Sequence, residues 1–172
     1  MGLVHIYCGD GKGKTSAAVG LAVRAAGCGK RVVIARFLKT DNSGEVEILK
    51  KIPEVTLIPC RKTFGFVRSM DEETKRKCAA YHRELFGEAV KLAEHADLVV
   101  FDEIMAAVNY GMVPERDVLE FLENRPGRDQ TDGLEIVLTG RDPSEKLIAA
   151  ADYVSEICKR KHPFDRGIMA RR

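Results

Sequence analysis

The chain has 172 residues, of which 45% are hydrophobic, and a formal net charge of +2. This length predicts one domain over residues 1–172, and the balanced charge argues against a protein built to bind nucleic acid. No apolar run approaches the roughly twenty residues of a membrane span and no signal peptide precedes the first apolar run, so we expect a soluble cytoplasmic protein.

Short apolar runs alternate along the chain with segments of helical periodicity. In chain order we predict a strand at residues 3–7, a helix at 17–26, a strand at 31–38, a helix at 45–51, a strand at 55–59, an irregular segment at 60–70, a helix at 71–95, a strand at 97–103, a helix at 114–122, an exposed connection at 124–133, a strand at 134–139, a helix at 144–151 and a strand at 153–157. Strands separated by helices predict an α/β fold of three layers with a mostly parallel central sheet.

The five cysteines, at positions 8, 28, 60, 78 and 158, are odd in number and form no C-x-x-C pair. They stand mostly inside apolar segments. We therefore interpret them as buried free thiols in a reducing compartment.

A glycine-rich segment, Gly9-Asp10-Gly11-Lys12-Gly13-Lys14-Thr15-Ser16, stands between the first predicted strand and the first predicted helix. Glycines at such a turn let backbone N–H groups face an anion, and the helix that follows adds the positive end of its dipole. Lys14 would supply a charge to phosphates, and the Thr15 hydroxyl a ligand for Mg²⁺. Because Cys8 stands where the common pattern has its first glycine, we predict a variant phosphate loop in a P-loop NTPase-like (RecA-like) fold. The alternative is a glycine-rich turn with incidental lysines.

Two adjacent acids, Asp102 and Glu103, follow an apolar strand in the manner of a Walker-B element. We predict that one of them holds Mg²⁺ beside Thr15, directly or through water, and we favour Glu103. The alternative is that both acids only cap a helix at residues 104–108.

Ligands of open parallel sheets gather at the carboxyl ends of the strands. Arg141 directly follows a strand, so it is either a ligand contact or part of a structural salt bridge. Arg24, on the first helix, is either a phosphate contact or a solvated surface charge. Phe64 and Phe66 either plug the edge of the core or offer an apolar wall to a large flat ligand.

A set of short motifs covers the chain from about residue 3 to residue 168. They are GDGKGKT at 9–15, RAAG at 24–27, GK at 29–30, FLK at 37–39, GE at 44–45, VFDEI at 100–104, NYG at 109–111, RP at 125–126, LTGR at 138–141, AD at 151–152, SE at 155–156 and KHPFDRG at 161–167. In this order they resemble the ATP:corrinoid adenosyltransferases of the cob(I)alamin type. That family's phosphate loop has the shorter glycine form found here.

The resemblance implies a transferase that moves the 5′-deoxyadenosyl group of ATP to the Co(I) of a reduced corrinoid, cob(I)alamin or cob(I)yrinic acid a,c-diamide, and releases tripolyphosphate. Such an enzyme serves cobalamin biosynthesis or salvage. The family is understood to bind ATP in a reversed sense, with the γ-phosphate where the α-phosphate usually lies. The resemblance also implies Mg²⁺ (or Mn²⁺), a reductase that supplies electrons, and a homodimer.

The resemblance assigns roles to individual residues. Phosphate contacts fall to Lys12, Lys14, Thr15, Ser16 and Arg24 together with Mg²⁺, while Gly9, Asp10, Gly11 and Gly13 line the ATP pocket with Arg141 nearby. Glu103 is the metal-linked carboxylate. Phe66, with Phe64, packs against the corrin and helps to displace its lower axial ligand, because cobalt without that ligand is easier to reduce to Co(I). The family's second aromatic, expected shortly after Phe66, is Val67-Arg68 here, and the usual hydrophobic tail and N-terminal extension do not appear.

Two other classes of function fit the same residues. A small NTP hydrolase or kinase would use the loop at 9–16 with Asp102 and Glu103 equally well. A nucleotide-dependent regulatory or corrinoid-carrier module would bind both ligands without turnover.

Overall fold

The computed structural model describes residues 2–161 and residue 167. Its strands are β1 (Val4–Cys8), β2 (Val32–Arg36), β3 (Val55–Leu57), β4 (Leu98–Asp102), β5 (Glu135–Thr139) and β6 (Tyr153–Glu156). Its helices are α1 (Lys14–Gly27), α2 (Gly44–Leu49), α3 (Glu72–Ala93), α4 (Ile104–Asn109), α5 (Glu115–Glu123) and α6 (Glu145–Ala149), with a 3₁₀ turn at Val67–Ser69. Each element falls close to its predicted range.

These six strands form a sheet in the order β3-β2-β4-β5-β1-β6. Every neighbouring pair is parallel. The predicted α/β fold with a parallel sheet is thus confirmed. Because the strands run in one direction, the segments that follow β1, β2, β4 and β5 all emerge at the same edge of the sheet.

Helices cover the sheet on both faces. In β2, Val33 belongs to the same hydrophobic cluster as side chains of α3, α4 and α5, while Val32 and Ile34 belong to a second cluster with α1. This division follows from the alternation of side chains along a strand. Both β2 and β4 are buried at every residue, as expected for strands covered on both faces.

Side chains of α1 and α3 explain how α1 packs against the sheet and where α3 begins. Ala18, Ala22 and Ala26 recur at every fourth position of α1 and are fully or almost fully buried, so a stripe of small side chains faces the sheet. At the start of α3, Asp71 accepts a hydrogen bond from Thr74 N at 2.7 Å, so its side chain caps the amino end of this helix.

The cysteines are free but are not mostly buried. Cys8 and Cys78 are buried, Cys60 is partly buried, and Cys28 and Cys158 are exposed. The expectation of buried thiols is wrong for the last two because Cys28 follows the final turn of α1 and Cys158 follows the edge strand β6.

In the described part of the chain, no helix combines the length and the apolar character needed to cross a membrane. Residues 162–166 of the KHPFDRG motif lie outside the described residues. The assignment of residues 1–172 to one domain stays a prediction.

Candidate functional site

The loop between β1 and α1 lies against the segment that follows β6. Gly11 N donates to Ile157 O at 2.7 Å, and a Cβ atom at Gly9 or Gly11 would lie 2.6 or 2.5 Å from that oxygen. Gly9 and Gly13 have φ values of 98° and 127°, which L side chains rarely adopt. The glycines therefore permit both the path of the loop and its close approach to the end of β6.

The ammonium group of Lys14 turns back into this loop. Its Nζ donates to Gly9 O at 2.7 Å and to Gly11 O at 2.8 Å. Burial, followed by the charge of Arg141, lowers the pKa of Lys14. The loop encloses a cavity of about 370 Å³ at the amino end of the 14-residue helix α1. Positive charge at a helix amino terminus suits a phosphate chain.

A buried carboxylate, Asp102 at the end of β4, is the centre of a polar network and is only 2% exposed. Thr15 Oγ1 donates to Asp102 Oδ1 at 2.9 Å, and Thr139 Oγ1 donates to the same oxygen at 2.7 Å. Lys39 Nζ donates to Thr15 Oγ1 at 2.8 Å and forms an ion pair with Asp102 Oδ2. Side chains from three other segments thus meet at one carboxylate.

Glu103 occupies a different place from Asp102. Its φ of 63° is left-handed, and it precedes α4 without a side-chain capping bond. Its N–H donates to Thr139 Oγ1 at 2.8 Å, while its side chain lines the loop cavity. Neither acid therefore caps α4 with its side chain, so the alternative that both acids only cap this helix is wrong. Asp102, rather than the favoured Glu103, is the acid that contacts Thr15.

Arg141 and Asp10 lie at the rim of the loop. Arg141 Nη2 donates to Asp10 O at 3.4 Å, and Asp10 Oδ1 accepts from Lys159 N at 2.8 Å; this backbone bond lowers the pKa of Asp10. Asn109 Nδ2 donates to the backbone oxygens of Arg141 and Asp142, both at 3.2 Å. The turn that carries Arg141 is thereby held to the end of α4.

A cleft of about 720 Å³ opens beside the loop. Glu103 and Arg141 line both the cleft and the loop cavity. The cleft is also lined by Phe66, which is 87% exposed, and Tyr110, which is 44% exposed. Large aromatic side chains exposed on a cleft wall indicate a binding surface for an apolar or flat ligand.

A family model described as "ATP:corrinoid adenosyltransferase BtuR/CobO/CobP" matches residues 1–172. The chain belongs to this family. It is therefore an enzyme of a transferase family that adenosylates corrinoids, and its parallel sheet is consistent with the P-loop NTPase-like fold expected for such a member.

Several curated relatives of the chain are named corrinoid adenosyltransferases, as the family is. The chain is 34% identical to the corrinoid adenosyltransferase of Escherichia coli (strain K12) over an alignment of 172 positions that covers 98% of this chain and 83% of that protein. It is also 34% identical to the corrinoid adenosyltransferase CobA of Salmonella typhimurium, with the same coverage, and 30% identical to the corrinoid adenosyltransferase of Pseudomonas aeruginosa, with 99% and 82% coverage.

The predicted adenosyltransferase site residues do not all come together. Glycines 11 and 13 with Asp10, Lys12, Lys14, Thr15, Ser16, Glu103 and Arg141 line one cavity, while Gly9 lies in the same loop and accepts a hydrogen bond from Lys14 through its backbone oxygen. Arg24 lies in the last turn of α1, about 15 Å along the helix axis from Lys14, and lines a separate cavity with Asp97. Its contact with phosphate stays a prediction.

The two phenylalanines also differ from one another. Phe64 is partly buried and packs near the rings of Tyr81 and His82, with centroids 5.7 and 6.5 Å apart. Phe66 is exposed on the cleft. Phe64 thus plugs the edge of the core, whereas Phe66 forms part of the exposed wall of the cleft.

The sequence places Lys39 and Thr139 in segments that follow predicted strands on the ligand side, residues 38–45 and 139–141, but it indicates no specific role for them or for Asn109. The hydrogen bonds of Asn109 to the Arg141 turn join residues 32 and 33 positions apart, and nothing in the local sequence indicates them.

Within the described residues, no group of three or more His, Cys, Asp or Glu side chains could hold a metal ion. Mg²⁺ is commonly held by one or two carboxylates, a hydroxyl and substrate phosphates. Thr15 and Asp102 supply such oxygen donors, and they already share a cationic partner in Lys39. The chemistry of this donor set therefore fits Mg²⁺.

Proposed function

We propose that the chain transfers the 5′-deoxyadenosyl group of ATP to the Co(I) centre of a reduced corrinoid and releases tripolyphosphate. The supporting observation is the wall that the loop cavity and the cleft share. Since Glu103 and Arg141 line both spaces, a triphosphate in the loop and a flat macrocycle in the cleft would meet along that wall. This arrangement is what a reaction between two bound substrates requires.

The chemistry places a demand on the orientation of ATP. The electron pair of Co(I) forms the Co–C bond to C5′, the C5′–O bond breaks, and its electrons leave on the triphosphate oxygen. The ribose carbon must therefore face the cleft while all three phosphates are held as one leaving group. The nucleophile belongs to the substrate, so no general base from the protein is needed.

The residues of the loop would then neutralise the leaving group. Lys12 and Lys14 supply positive charge, and the amino end of α1 supplies N–H groups. When bound, Mg²⁺ neutralises negative charge on the triphosphate. We assign Thr15 and Asp102 as its direct holders, since they are in contact, and Glu103 as a carboxylate that acts through water.

On the corrinoid side, we assign Phe66 to direct contact with the macrocycle, because it is more exposed than Tyr110, the other aromatic residue that lines the cleft. Phe64 would support the same loop from behind through its packing against Tyr81 and His82. An aromatic ring offers a flat apolar ligand a contact surface of matching shape and polarity.

Product analysis tests the proposal. The purified chain is incubated with ATP and Mg²⁺, with and without a chemically reduced corrinoid, and phosphorus products and the Co–C chromophore are followed together. Tripolyphosphate and alkylated corrinoid in equal amounts, formed only when corrinoid is present, are expected. Steady formation of ADP would favour an NTP hydrolase or kinase, and binding of both ligands without turnover would favour a regulatory or carrier module. Asp102→Asn is the inactive control.

We further propose a cytoplasmic homodimer that receives electrons from a separate reductase; both partners are inferred from the family resemblance. Sedimentation equilibrium tests the dimer. A requirement for an added electron donor when the corrinoid is supplied as Co(II) tests the need for a reductase.

A further inference from the structure

Lys39 occupies a position that the proposed metal ion would also need. Its ammonium donates to Thr15 Oγ1 at 2.8 Å and pairs with Asp102 Oδ2. Lys39 follows Leu38, whose φ of 53° places the backbone in the left-handed region. A leucine in this conformation is uncommon, and the turn brings the end of β2 to the buried carboxylate.

The charge balance of the site depends on this lysine. Asp102 is 2% exposed, and its other side-chain partners, Thr15 and Thr139, are neutral hydroxyls. A buried carboxylate without an opposite charge is strongly destabilising. A divalent ion bound to Thr15 and Asp102 would use the same oxygen atoms, so the ammonium and the ion exclude each other.

We propose that Lys39 is a positioning residue that serves as the internal counter-ion of Asp102 in the nucleotide-free enzyme and must withdraw before a divalent ion reaches Thr15 and Asp102. This inference rests on the proposed use of a metal–ATP complex at the loop. It explains how metal loading would depend on nucleotide: the ion arrives with a triphosphate whose negative charge offers the displaced ammonium a new partner.

The surroundings of Lys39 allow such a movement. Its side chain is 26% exposed, and it lines the cleft, the cavity behind Phe64 and the groove along α1 that contains Ser16. The long flexible stem of a lysine moves its charge among such spaces readily. Withdrawal therefore needs a change of side-chain rotamers and no rearrangement of the fold.

Binding of Mn²⁺ to the full chain without nucleotide tests the proposal, because Mn²⁺ favours the same oxygen ligands and is detected by electron paramagnetic resonance. Lys39→Met should bind one Mn²⁺ at least about tenfold more tightly than the unchanged chain, since the competing charge is gone. Lys39→Arg keeps a cation, and Lys51→Met removes an exposed charge from the turn that follows α2. Both should bind Mn²⁺ as weakly as the unchanged chain.

The double variant Lys39→Met, Asp102→Asn should lose the gained affinity. Unchanged Mn²⁺ affinity in Lys39→Met, or a gain that persists without the Asp102 carboxylate, would overturn the proposal. Thermal unfolding gives a second measurement in case the single variant is unstable. Lys39→Met should be destabilised in a chelator and restored by Mn²⁺, and failure to fold under both conditions counts against the inference, because the ion should replace the missing charge.

These measurements use neither ATP nor corrinoid. Failure to form tripolyphosphate would refute the proposed reaction without changing the Mn²⁺ result. A negative Mn²⁺ result would refute the role of Lys39 without changing the product analysis.

Discussion

His82 lies on the buried face of α3 and is 3% exposed. The rings of Phe37, Phe64 and Tyr81 surround it at centroid distances of 5.9, 6.5 and 5.1 Å, and its buried Nδ1 has no hydrogen-bond partner among the residues that the structure describes. Burial lowers the pKa of His82 from its ordinary 6.5 to about 4. The imidazole is therefore neutral in the folded protein at neutral pH.

This pKa determines how stability should depend on pH. Because the unfolded chain binds a proton to His82 near pH 6.5 and the folded chain only near pH 4, the contribution to stability is complete above pH 6.5 and is lost as the pH falls toward 4. At about 1.4 kcal/mol per pKa unit, the full difference is about 3 kcal/mol. Between about pH 7 and about pH 4.5, roughly 2 kcal/mol of it should be lost.

Urea unfolding at a series of pH values measures this effect. His82→Phe removes the titrating group while keeping a ring in an aromatic environment, so its free energy of unfolding should fall by about 2 kcal/mol less than that of the unchanged chain over this range. Burial also lowers the pKa of His5, but His5 is present in both proteins and its effect cancels. The exposed His95, changed to Phe, is the matched control and should leave the pH dependence unaltered. Parallel pH profiles for His82→Phe and the unchanged chain would refute this reasoning.

Three further predictions concern the loop and the cleft. Lys14→Ala should lower ATP-dependent turnover at least about 100-fold by removing charge from the leaving group, whereas the exposed Lys51→Ala should not; full activity of the first variant would refute the loop assignment. Phe66→Ala should reduce kcat/KM about tenfold for corrinoids that must shed a lower axial ligand and less for those that lack one; equal losses would contradict the contact. Gly11→Ala, whose Cβ would meet Ile157 O at 2.5 Å, should destabilise the chain by about 1–3 kcal/mol in urea unfolding. The control is Gly20→Ala on α1, where a Cβ meets nothing within 4 Å; it should be neutral or stabilising by up to about 1 kcal/mol. A similar loss of unfolding free energy in Gly11→Ala and Gly20→Ala would show that crowding against Ile157 is not the cause.

Much of the site was visible in the sequence because local pattern determines it. The glycines and lysines between an apolar run and a helix indicate a phosphate loop without knowledge of any distant contact. The apolar run before Asp102 likewise predicts a buried strand, and the direction of a parallel sheet then brings Asp102, Thr139 and the loop to one edge. These inferences depend on neighbours in the sequence, so no tertiary information was needed.

Other assignments depend on where a side chain lies after its strand or helix ends. Asp102 and Glu103 are adjacent in sequence, yet the first remains in the strand and contacts Thr15, while the left-handed backbone of the second carries its side chain to the cavity. Phe64 and Phe66 are separated by one residue and differ in burial because only Phe64 packs near Tyr81 and His82 on α3. In both pairs the sequence offers two equivalent side chains, and contacts with distant elements decide between them.

The sequence alone determined the order of strands and helices, the glycine-rich turn between β1 and α1, and the family, since each depends on periodicity or on contiguous motifs. Only the tertiary structure decided that Asp102 is the acid beside Thr15, that Lys39 is its counter-ion and that Arg24 lies at the far end of α1. The physical reason is that the partners of a buried charged group are the side chains that folding brings around it. Those groups come from positions 24 to 87 residues apart along the chain.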